Sequence, residues 1–88
     1  MQMNEDKKRS YDLRVSRVPY HVEVSPYFSS EGKRFVININ GGLDHTYRWD
    51  DESVRIRPAS HEALTLPDGL EKQLSDKIMK TIIHGKEK

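Results

Sequence analysis

The sequence predicts an α+β domain: an antiparallel meander of about five strands followed by one C-terminal amphipathic helix packed on one face of the sheet. Two observations carry this. Apolar residues alternate with polar ones in short runs from Tyr11 to Ile56, separated by Gly-, Asn-, Asp- and Ser-rich turns, and after Pro58 the apolar period changes from two to 3.6.

The segment 1–9 carries Asn4, Glu5, Asp6, Lys7, Lys8 and Arg9 without periodicity and reads as a solvated tail. The domain is expected over 10–85, with 86–88 a second short tail. Tyr11, Leu13 and Val15 share one face of the first strand. Tyr20, Val22 and Val24 follow after Pro19, whose fixed φ suits a connection. Phe35, Ile37 and Ile39 form the third set, Leu43, His45, Tyr47 and Trp49 the fourth, Val54 and Ile56 the fifth. Hairpin pairing requires a constant index sum and apolar residues on a common face. Under that rule a Ser16–Pro19 loop sets Leu13 opposite Val22, and a turn at Glu31-Gly32 sets Val24 opposite Ile39 and Phe28 opposite Phe35. A three-residue Asn40-Gly41-Gly42 loop sets Ile37 opposite His45, and an Asp50–Ser53 loop sets Trp49 opposite Val54.

Leu70, Leu74, Ile78 and Ile82 recur every four residues as a helical stripe. Asp68 with Glu71 three residues on reads as a capping box, Thr65 with Asp68 offers a competing start, and Gly85 is the expected stop. Ser60–Ala63 can add one helical turn in the connection.

The chain has 88 residues, 34% of them hydrophobic and 33% charged, which supports one modest core rather than two. With no cysteine, a disulfide scaffold, a thiolate zinc site and a thiol nucleophile are excluded. The balance of 15 basic against 14 acidic side chains creates no global field for DNA or anionic lipid. No run approaches the roughly 18 apolar residues of a membrane span. The charged start lacks the apolar run of a signal peptide, so a soluble, cytoplasmic protein without a membrane partner is expected.

Enzyme signatures are missing. His21, His45, His61 and His84 fall on different elements, the Gly41-Gly42 pair lies in a hairpin rather than before a helix, and Asp50, Asp51 and Glu52 lack the spacing of a calcium loop. Neither catalysis, a metal nor a cofactor is expected. One constellation stands out on the polar sheet face. There the register brings Arg34, Arg48, Arg55 and Arg57 into one patch, Arg34 opposite Arg48 and Arg48 opposite Arg55, near Tyr27, Val36 and Asn38. Neutralisation by Asp44, Asp50, Asp51 or Glu52 is the plain account of the patch, and an anion site is the functional one.

Two functions compete. The first is a non-catalytic protein-interaction module. Five strands make a sheet about 19 Å wide, whereas a helix is only about 10–12 Å across, so apolar sheet is left for a diagonal helix, a curled sheet or a second copy to cover. Met79 and Ile83, outside the main stripe, are the candidate contacts for a homodimer or another protein partner. The second is weak binding of nucleic acid or another polyanion through the arginine patch.

Overall fold

The computed structural model describes residues 8–60 and 65–83. It contains β1 (Arg9–Val15), β2 (Val18–Ser29), β3 (Gly32–Ile39), β4 (Asp44–Asp50), β5 (Arg55–Pro58) and α1 (Asp68–Ile78), which runs into a π-helical turn over Met79–Ile83. The strands form one antiparallel sheet in the order β1-β2-β3-β4-β5, the predicted α+β meander. β1 starts at Arg9, one residue inside the segment read as tail, where it pairs with Val24. The possible turn at Ser60–Ala63 and the stop at Gly85 fall largely outside the described residues.

The β3–β4 register is the expected one, with Ile37 opposite His45 and Phe35 opposite Tyr47. Asn40 (φ 52°) and Gly41 (φ 75°) supply the left-handed backbone of its turn. The other three hairpins are displaced by two residues from the sequence reading. Leu13 pairs with Tyr20. Val24 pairs with Ile37, and Phe28 with Lys33. Trp49 pairs with Ile56, and Arg48 with Arg57. A slip of two leaves every side chain on its face, so facial assignments survive while pairings change.

Prolines explain the first two displacements. Pro19 lies inside β2, and the chain reverses over Ser16 and Arg17, both at positive φ (52° and 70°). Alternate β2 residues turn their N–H groups toward opposite neighbours; His21 turns toward β3, where its carbonyl accepts from the Asn40 amide. By that alternation Pro19 faces β3 beyond the last β3 partner, and Pro26 faces β1 beyond its first residue. Among the described residues neither proline faces a ladder partner, so both fit a strand flanked on two sides.

The core consists of Leu13, Val22, Val24, Phe35, Ile37, Tyr47, Ile56, Leu66, Leu70, Leu74 and Ile78. Leu43 (72% exposed) and Val54 (51% exposed) lie outside it, contrary to the alternation that assigned them inward. Leu43 precedes β4, and Val54 belongs to the turn before β5.

Three adjacent sides of α1 are engaged. Leu70, Leu74 and Ile78 are fully buried against the sheet. On one flank the Gln73 amide donates to the Arg14 carbonyl of β1 at 2.9 Å, and Gly69 lies against Val15. On the other, the Ser75 hydroxyl accepts from the Ile56 N–H of β5 at 3.0 Å. The helix thus touches both edge strands of the sheet. This resolves the width mismatch within one chain. The capping box is not formed: Pro67 occupies the N-cap without a side-chain hydrogen bond, and Glu71 is turned inward instead. The π-helical turn breaks the fourfold spacing and brings both Ile82 and Ile83 against the core.

Candidate interaction surface

Between sheet and helix runs a buried polar network. The Tyr47 hydroxyl donates to Glu71 Oε2 at 2.6 Å and accepts the Leu66 N–H at 2.8 Å. Glu71 Oε1 receives Arg55 at 2.6 Å, with Asp68 3.6 Å from the same guanidinium. The Ser75 hydroxyl donates to the Glu71 carbonyl. Burial, reinforced by the Glu71 hydrogen bond, pushes the Tyr47 phenol well above its ordinary pKa and keeps it a neutral donor. Every oxygen in this network is committed to another part of the chain, so its chemistry is that of a fastener joining α1 to β4 and β5.

Arg55 therefore leaves the patch in which the sequence placed it. Its guanidinium goes to the helix, and its cross-strand partner is Asp50 rather than Arg48. Arg34, Arg48 and Arg57 remain together as directly paired positions on β3, β4 and β5, continued on β2 by Tyr27 opposite Arg34. They differ in their commitments. Arg34 folds back to Glu31 Oε1 (3.0 Å) and the Lys33 carbonyl, leaving its side chain 12% exposed. Arg57 Nε donates to Asp50 Oδ2 at 3.1 Å. The Ser53 hydroxyl holds the Asp50 carboxyl below the ordinary carboxylate range, and the Glu52 amide, Arg57 and Arg48 add to the effect. Among the described residues, the Arg48 side chain alone of the three has no hydrogen bond or ion pair, though its charge acts on Asp50.

Along the same outer face, the row after Tyr27-Arg34-Arg48 is Ser25, Val36 and Thr46, and the next is Glu23, Asn38 and Asp44. Glu23 meets Lys8 at 3.5 Å. Asp44 accepts from the Asn38 amide at 3.0 Å and has no cationic partner among the described residues. Farther along, His21 Nδ1 lies 2.9 Å from Asp12 and its Nε2 3.7 Å from Glu23. The Asp12 hydrogen bond is the main cause that raises the His21 pKa. The outer face is thus basic at the end near the β2–β3 turn and acidic toward the other. The acidic half was not singled out from the sequence, although the same alternation that found the arginines also places Asp44 and Glu23.

Family models, curated proteins and solved structures give no match to this chain. The geometry stands by itself. Met79 is half-buried and lines a groove with Val54, Arg55, Lys72, Ser75 and Asp76. Ile83 packs on the chain's own core, and His45 sits half-buried opposite Ile37. Of the apolar sheet face, Leu13, Val22, Val24, Phe35, Ile37, Tyr47 and Ile56 are buried within the one chain, and Tyr11, Val15, Tyr20, Ile39 and Trp49 are partly buried against them. No group of three or more His, Asp or Glu side chains able to hold a metal ion occurs among the described residues. No helix there is long and apolar enough to cross a membrane.

Proposed function

We propose that this protein is a non-catalytic interaction module, acting in the cytoplasm, whose recognition surface is the outer face of the sheet with Arg48 at its centre. The supporting observation is the uneven neutralisation of the arginine row: Arg34 and Arg57 are held in ion pairs by Glu31 and Asp50, while the half-buried Arg48 between them feels Asp50 without an ion pair to it. A guanidinium fixed in a sheet offers a planar donor fork to a carboxylate or phosphate. The buried polar network is spent on holding the helix, which leaves the outer face as the accessible chemistry. The test is photo-crosslinking from a probe placed at Thr46, compared with one placed at Lys72 on the exposed side of the helix. Specific adducts from position 46 that vanish on Arg48→Glu are expected; equal labelling from both positions would overturn the reading.

The polyanion alternative would use the same row. It is favoured by three arginines in register and weakened by the internal pairing of two of them. Single-stranded RNA added to labelled protein at low salt should shift the amides of Arg34, Arg48 and Arg57 if it applies, with a log-log salt slope near -0.7 per neutralised phosphate.

A further inference from the structure

The outer face is complementary to itself, and we propose that its partner is a second copy of the chain, docked face to face about a two-fold axis along the Ser25-Val36-Thr46 row. This rests on the interaction-module reading and names its partner. The basic row (Tyr27, Arg34, Arg48) and the acidic row (Glu23, Asn38, Asp44) lie two residues to either side of that neutral row on the same three strands. Two residues of strand span about 7 Å, so the outer rows are equidistant from the axis. A half-turn about the axis exchanges them. Arg48 then faces the partner copy's Asp44, Tyr27 faces Glu23, and Arg34 faces Asn38, each contact occurring twice, while Val36 and Thr46 meet their own counterparts. A two-fold interface has this form, the same patch used by both copies.

The charges left over within one copy are the ones this pairing joins. Asp44 and Arg48 stand on one strand about 14 Å apart, beyond reach of each other, at a rise of about 3.4 Å per residue. Sheets packed face to face lie about 10 Å apart, a gap that an arginine from one side and an aspartate from the other can bridge. The three rows lie on the central strands β2, β3 and β4 alone. The contact therefore falls at the low end of interface sizes, and dimerisation belongs in the range of about 0.1–1 mM rather than nanomolar.

Two variants of opposite charge give a decisive test. Asp44→Arg carries only arginines at the two positions and Arg48→Asp only aspartates, so each repels its own copy. Mixed, they restore both contacts, because each of the two positions in one variant then faces the opposite charge in the other. Sedimentation at about 1 mM, within the range just given, should show the unaltered chain dimerising, each variant monomeric with an unchanged circular dichroism spectrum, and the mixture dimerising at least tenfold more tightly than either alone. Salt at 1 M, where screening acts within about 3 Å, should weaken all of it. A monomeric unaltered chain, or a mixture no tighter than its components, would overturn the proposal. If position-46 crosslinks to another protein persist in that case, the self-pairing falls and the interaction module stands; if they vanish as well, both fall.

Discussion

At the scale of single residues, most of the informative side chains have been taken out of service by a neighbour. Tyr47 is the clearest case, fully buried with its hydroxyl used as donor and as acceptor. Tyr47→Phe leaves the Leu66 N–H buried without its acceptor, and an unmet buried donor costs about 1–3 kcal/mol. The urea midpoint should fall accordingly with the slope unchanged; an unaltered midpoint would show that the network is dispensable. His21 gives a dependence on pH with a definite sign. Its folded pKa is raised by Asp12, so its contribution to stability is complete below the unfolded value of about 6.5 and disappears as the pH rises through the folded one. An NMR titration should place the His21 ring above 6.5, and Asp12→Asn should bring it down toward that ordinary value. Val54 is a β-branched residue at φ 57° with half its surface in solvent. Left-handed backbone costs such a side chain about 1–2 kcal/mol, so Val54→Asn should raise the midpoint of thermal unfolding. A lowered midpoint would mean that the Val54 side chain contributes more by packing than its backbone loses.

At the scale of elements, helix and strand are each told apart by apolar period, which is why their order was readable from Tyr11 and Leu70 onward. Pairing was not. Alternation fixes a residue's face but is blind to a displacement by two, and three of the hairpins took the other allowed register. For the first two, the signal lay in Pro19, read as part of a connection, and in Pro26, to which no role was given; each faces a side on which the described strands offer β2 no partner. Glu71 was misread for a related reason: a capping-box spacing says which donor is near, whereas Tyr47 and Arg55 supply stronger donors from elsewhere in the chain. Gly69 carried no sequence signal at all. In a helix it is a poor residue, yet a Cβ there would stand 2.8 Å from Val15 Cγ1. Gly69→Ala should therefore destabilise, although alanine gains about 1 kcal/mol in helix propensity. In a Val15→Ala background the clash is gone and the same substitution should stabilise, so a double-mutant cycle by urea denaturation reads the contact directly.

At the scale of the whole molecule, one helix closes one face of the sheet, and the arginine row could be assembled from sequence only because parity, unlike pairing, was secure. Arg55 escaped that logic because its strand position says which face it leaves, not how far a long side chain can travel around an edge strand to Glu71. The architecture also makes the domain a single cooperative unit. Helix α1 is tied to β1 through Gln73, to β5 through Ser75 and Arg55, and to the middle of the sheet through three fully buried side chains. Loosening the helix uncovers the whole apolar face and frees both edges together. Ile78→Ala should accordingly cost about 2–5 kcal/mol, a large share of the 5–15 kcal/mol typical of native domains. The substitution should also shift two signals in step: far-ultraviolet dichroism, which follows the helix, and the fluorescence of Trp49, which packs against the core from β4. Coincident midpoints are the expected result. Helix signal lost before the Trp49 signal would mean that the sheet persists without α1, and that the outer face can be presented by the strands alone.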